Sequence, residues 1–219
     1  WKSPAGLNVL TSDALVEDIH FSLTATSWYD LGWKALAVNL SDVAAMGYRP
    51  TLSVVTLGLR GNLPVSGIEE MYRGMVALST RFGGRIVGGD TVRSPVFFIS
   101  VTVHGTCTTT SKNVPLPPLA RNAAKSGDLI GVTGPLGCAA AGLRIISEDI
   151  KLDSKTTEHI TAALNKPVPR IKEAQELLQS GITTAMDISD GLASDLHKLC
   201  KASGVGAKLW ADSLPGDET

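Results

Sequence analysis

The chain has 219 residues, with 20 Lys plus Arg against 21 Asp plus Glu and a formal net charge of -1. That balance excludes the basic surplus of a nucleic-acid binder, while leaving room for small anionic substrates, which need only local charge. At 43% hydrophobic and 19% charged the chain can bury a core, and its length suits one large domain or two small ones of roughly 100–200 residues.

No apolar run approaches the ~20 residues of a membrane helix, and no basic segment followed by an apolar one opens the chain. Cys107, Cys138 and Cys200 are far apart, odd in number and never in CxxC spacing. A disulfide framework and a structural zinc site are both disfavoured, and a reducing compartment fits. The expectation is a soluble, cytoplasmic protein with no membrane and no nucleic-acid partner.

In chain order, residues 7–10 read as a short apolar strand ending at Thr11-Ser12-Asp13. Residues 30–47 fit a helix, with Leu31, Ala35, Val38, Ala45 and Met46 near helical spacing and Gly47 as the stop. Residues 52–59 are a strand and 66–82 a helix carrying Ile68, Met71, Met75 and Leu78 on one face. Residues 85–87 form a short strand running into Gly88-Gly89-Asp90, and 96–103 a long one. The polar, then proline-rich stretch 108–118 marks a domain boundary. Beyond it, 128–132, 184–186 and 205–210 read as strands, and 138–147, 170–179 and 192–202 as helices. The expected fold is therefore mixed α/β (or α+β), in two parts: 1–112 and 113–219.

Four times a short hydroxyl or glycine element carries an aspartate beside an apolar run: Thr11-Ser12-Asp13, Asn39-Leu40-Ser41-Asp42, Gly88-Gly89-Asp90-Thr91, and Asp187-Ile188-Ser189-Asp190-Gly191. Each has a plain structural reading. Asp190 can cap the helix that follows, and Asp13 and Asp90 can be turn acids bonded to their own backbone. Asp42 resists such a reading, because it lies inside a helix among uncharged neighbours, and an unpaired buried charge is expensive. Two carboxylates ~4 Å apart repel by about 4 kcal/mol at an effective dielectric near 20. Either the acids do not converge, or divalent cations hold them together. Magnesium, a hard ion that takes carboxylate and hydroxyl oxygens alongside substrate phosphates, suits the second option. Gly134-Pro135-Leu136-Gly137, before a helix, can present backbone N–H groups to a phosphate or be a bare tight turn. No GxxxxGK[ST] or GxGxxG motif is present, and no Ser/His/Asp or Cys/His set supports acyl chemistry.

These motifs, together with Glu17-Asp18-Ile19-His20-Phe21 and the run from Leu31 to Gly47, resemble the thiamine-monophosphate kinase family. It belongs to the superfamily of aminoimidazole ribonucleotide synthetase, selenophosphate synthetase and a hydrogenase-maturation protein. The resemblance implies an aminoimidazole-ribonucleotide-synthetase-like architecture, with an N-terminal domain of sheet and helices that dimerises and an incomplete C-terminal α/β domain. It implies ATP-dependent phosphorylation of thiamine phosphate by direct in-line transfer, with several Mg²⁺ ions and no covalent intermediate. Another ATP-dependent enzyme of the superfamily, or a homologue that binds nucleotide without turnover, is the alternative. Carried over by motif, Thr11, Ser12, Asp13, Asp42, Asp90, Asp187 and Asp190 are the expected metal ligands, Asp42 bridging more than one ion. Gly89, Asp90, Arg121, Ser189 and Tyr72 are the expected ATP contacts, and His20 a thiamine-phosphate contact. The Gly-Asp-Asp-Ala motif expected ahead of the first strand and the acidic, aromatic stretch expected late in the family are both missing from these 219 residues.

Overall fold

The computed structural model describes residues 6–110 and 114–216. Four strands form one sheet: β1 (Asn8–Val16), β2 (Arg49–Leu59), β3 (Arg85–Arg93) and β4 (Phe98–Thr106). Their order is β1-β4-β2-β3. β4 runs antiparallel to both β1 and β2, while β2 and β3 are parallel. The parallel pair requires a crossover, supplied by α2 (Val65–Phe82). β1 and β2 flank β4 and are joined by α1 (Trp28–Ala45). Both helices cover one face of the sheet. Ile99, Val101 and Val103 of β4 and Val55 and Leu57 of β2 are buried beneath them with Leu31, Leu36, Leu40, Met71, Met75 and Leu78.

The helices cross at backbone distance. A Cβ on Gly32 would stand 1.8 Å from the Met71 carbonyl oxygen, and one on Gly74 would stand 1.9 Å from that of Tyr29. Only hydrogen fits at either position, so these glycines set how deeply α1 sinks into the core. Ser27 opens α1, its hydroxyl accepting the Asp30 N–H at 3.0 Å, which satisfies one of the free first-turn donors.

Strands β1 and β3 are longer than composition suggests. Thr11-Ser12-Asp13 and Gly88-Gly89-Asp90, read as strand ends, continue their ladders against β4 and β2. Backbone pairing with a neighbour overrides the weak strand preference of Gly, Ser and Asp, more easily at sheet edges where side chains meet water.

The second part departs further from expectation. Its helices are α3 (Cys138–Ser147), α4 (Ser154–Asn165), α5 (Ile171–Gln179) and α6 (Leu192–Ser203). Of these, α4 was not foreseen; its N-cap Asp153 accepts the Thr156 N–H at 3.0 Å. The strands expected at 128–132, 184–186 and 205–210 do not form. Among the described residues only single bridges appear, Thr109 with Pro115, Ala120 with Thr184 and Leu136 with Gly216. A strand needs a run of bonds to a neighbour's backbone as well as apolar residues, and among the described residues these segments make no ladder longer than the single bridge of Thr184 to Ala120. Leu129 is 99% exposed and Trp210 61%. Among the described residues this half is made of helices with extended connections.

The two parts share one core, since Leu119, Ile171, Ala174 and Leu178 join the cluster beneath the sheet. The indole N–H of Trp33 donates to the Pro167 carbonyl at 2.7 Å, and the Tyr48 hydroxyl to that of Leu116 at 3.1 Å. The boundary expected between 112 and 113 lies outside the described residues.

Candidate functional site

Asp42 sits on α1 where the helix faces β1, and its partner is a hydroxyl: Thr11 Oγ1 donates to Asp42 Oδ2. One turn back, Asn39 is fully buried and ties helix to strand. Its amide nitrogen donates to the Ala35 carbonyl at 3.2 Å, and its amide oxygen accepts the Asp13 backbone N–H at 3.1 Å. That bond fixes the height of Asp13 against α1.

Asp13 and Asp187 both feel Asp42. Partial loss of hydration, and then the Asp42 charge, push the Asp13 carboxyl above its ordinary value, while His20 pulls it back. Burial and then Asp42 likewise push Asp187 up, against the pull of its own backbone N–H and of Arg121. Three carboxylates from β1, α1 and the 187–190 segment therefore share one neighbourhood, and the crowding costs free energy when all are ionised. His20 lies at its edge. Its Nδ1 accepts the Val16 N–H at 3.0 Å, so the proton of the neutral ring stands on Nε2.

The other expected residues stand elsewhere. Ser12 bonds Thr102 at 2.8 Å. Asp13 is opposite the buried Val101, so alternation turns Ser12 to the uncovered face. Asp90 is opposite Thr56, between the inward Val55 and Leu57, which puts it on the uncovered face too. Gly89 and Asp90 are exposed. Tyr72 lines a shallow groove of 710 Å³ on α2 with Val65, Ile68, Glu69 and Val76, whose walls hold none of the expected site aspartates. Among the described residues, no three acids, histidines or cysteines close on a point tightly enough to hold an ion unaided.

The sequence matches the description "AIR synthase related protein, N-terminal domain" over residues 4–107 and "AIR synthase related protein, C-terminal domain" over 125–219. A thiamine-monophosphate kinase of Bacillus subtilis is 34% identical over 94% of this chain and 63% of its own length. The crystal structure of thiamine monophosphate kinase from Aquifex aeolicus superposes with a TM-score of 0.88 at 30% identity, over 96% of this chain and 69% of that one. The chain belongs to the thiamine-monophosphate kinase family. A further solved chain, described as AaThiL complexed with AMPPCP and TMP, also matches with a TM-score of 0.88 at 30% identity, over 96% of this chain and 65% of that one. The chain spans a little over three fifths of the length of the curated relatives it matches.

In this member of the thiamine-monophosphate kinase family the 187–190 segment is held by a residue that sequence reasoning passed over. Asp195, 1% exposed in the first turn of α6, accepts the N–H groups of Ser189 and Asp190, both at 2.9 Å, and an ammonium hydrogen of Lys198 at 2.9 Å. Burial pushes its carboxyl up, but Lys198 and the two amides outweigh that and hold it below the ordinary value. Asp190, expected as a metal ligand, is bound to Lys198 as well. A sequence clue existed: an acid just inside the start of α6 can reach back to free N–H groups ahead of the helix. Asn39, on α1, gave no such clue, because its partner Asp13 lies in a strand 26 positions away.

The donor set suits Mg²⁺. Asp13, Asp42 and Asp187 offer carboxylate oxygens, and their mutual repulsion is what a divalent cation relieves. Mg²⁺ keeps several waters and takes only one or two carboxylates plus phosphate oxygens, so a closed cage of three protein ligands is not required of this site.

Proposed function

We propose that this chain carries the phosphoryl-transfer site of an ATP-dependent, Mg²⁺-assisted thiamine-phosphate kinase that forms thiamine diphosphate and ADP. The observation that carries the reading is Asp42, seated on a buried helix between Asp13 and Asp187. The names of the relatives, and the AMPPCP and TMP held by one of them, agree with it.

Asp13, Asp42 and Asp187 would hold Mg²⁺, with Thr11 orienting Asp42. The metal supplies neutralising charge for the transferring phosphoryl group. Ser12, Asp90 and Asp190 stay in the reading as further ligands. Gly89, Ser189, Tyr72 and Arg121 stay as nucleotide contacts, with Arg121 beside Asp187 offering its charge to phosphate. His20, next to Asp13, remains the contact to thiamine phosphate. The acceptor is a phosphate monoester, already largely dianionic at neutral pH, so its oxygen attacks the γ-phosphorus without a general base. The new P–O bond forms as the bond to ADP breaks. The protein's task is alignment and charge cancellation.

We read residues 1–112 and 113–219 as the two domains and the free cysteines as suited to a reducing cytoplasm. We also read the protein as a homodimer. The uncovered sheet face, with Leu10 72% and Val54 42% exposed, fits a second copy, and a single-chain mass in sedimentation velocity would refute this.

The activity test combines the protein with ATP, Mg²⁺ and thiamine phosphate. Thiamine diphosphate in step with ADP is expected. ADP released only with another acceptor favours a related superfamily enzyme, and ATP binding without product favours a nucleotide-binding homologue.

A further inference from the structure

Between residues 31 and 45, α1 is enclosed except at Lys34, Val38, Ser41, Asp42 and Ala45. These positions recur at steps of three and four, so they form a single stripe along the helix. Strand β1 packs beside α1, as do α4 and α5 of the second part. The stripe is therefore the strip of helix left open between the two parts, and Asp42 on it meets Asp13 from one part and Asp187 from the other.

Lys34 lies on this stripe two turns before Asp42, about 12 Å along the axis. It is half-buried, and among the described residues no carboxylate pairs with it. Loss of water alone holds its ammonium below the ordinary lysine range. A cation stripped of water with no counter-ion destabilises a fold, and such a cost is commonly kept where a ligand repays it.

We propose that Lys34 binds an anionic phosphate oxygen of the ligand whose other end is held at Asp42, and so is a further substrate-binding residue of this site. The assignment rests on the kinase reading for the identity of the ligand, but the chemistry it requires is any phosphate ester or polyphosphate lying along α1.

Lys34→Met keeps the stem and removes the charge. Two measurements decide the matter. The first is thermal stability with and without inorganic pyrophosphate in the presence of Mg²⁺. The variant alone should melt at or above the wild-type temperature, and the rise that pyrophosphate gives the wild type should be lost. The second is kinetic. KM should increase roughly tenfold or more, the worth of one charged hydrogen bond, with Lys34→Arg retaining most of the affinity. A rise confined to ATP or to thiamine phosphate identifies whose phosphate is held. A variant that melts lower and keeps both its pyrophosphate response and its KM values makes Lys34 structural and overturns the proposal. If the wild type forms no thiamine diphosphate yet the pyrophosphate response depends on Lys34, the residue's role stands and the kinase reading falls.

Discussion

On the proposed kinase reading, Asp42→Asn is expected to lower the rate of thiamine diphosphate formation by about a hundredfold or more, since the charge proposed to anchor Mg²⁺ vanishes while the fold is kept. The substitution is nearly isosteric. Thr11 can still donate to the remaining amide oxygen, so the helix–strand contact survives. The same change removes the like charge that pushes Asp13 and Asp187 upward. In metal-free buffer the variant should accordingly melt at a higher temperature than the wild type. A loss of activity with a gain in stability separates a site acid from a structural one. Near-normal kcat would remove Asp42 from the chemistry.

Magnesium should in turn raise the melting temperature, and more so at higher pH. At a hundred times its dissociation constant, a ligand of the folded state contributes about 2.7 kcal/mol. For a chain of this size that is about 5–10 °C. The pH dependence has a definite sign. Asp13 and Asp187 are raised in the folded state from an ordinary value near 3.8. Below that value both are protonated in either state and carry no penalty. As pH rises through their folded values they must ionise against Asp42, and the stability they contributed is lost. Asp195 is lowered, so its contribution is kept throughout this range and is lost only when pH falls below about 3.8 and through its folded value. Bound metal needs the ionised carboxylates. Its effect should therefore grow as pH rises from the ordinary carboxylate value near 3.8 through the raised folded values of Asp13 and Asp187, as differential scanning calorimetry with Mg²⁺ and with EDTA across that rise would record. A gain that does not change with pH, or none, would mean that these acids do not share an ion.

The sheet and its two helices are legible in the sequence, because α2 and the central strands show one apolar face and α1 is a largely uncharged helical run enclosed on most sides. Spacing located α1 and α2 to within a few residues. Polar edges hid the full length of β1 and β3, where hydrogen bonding to a neighbour matters more than residue type. In the second half the apolar segments at 128–132 and 205–210 have strand composition, but pairing is a property of two segments, and one sequence window cannot supply the other. At the site, Asp42 was conspicuous as an acid among uncharged residues. Its pairing with Thr11, 31 positions away, was not, and neither was the bond from Asp13 to Asn39, 26 positions away. Long-range hydrogen bonds leave no periodic trace in a chain.

The close crossing of α1 and α2 at Gly32 and Gly74 bears on where this architecture can adapt. Because backbone touches backbone there, α1 has no slack, and Asp42 is carried on a fixed mast. Asp187 and Asp190 ride on a connection anchored through one buried side chain, Asp195. Any accommodation of a longer or bulkier guest falls to that tethered side, and evolutionary retuning of selectivity has its cheapest route through residues 187–198, with the sheet left untouched.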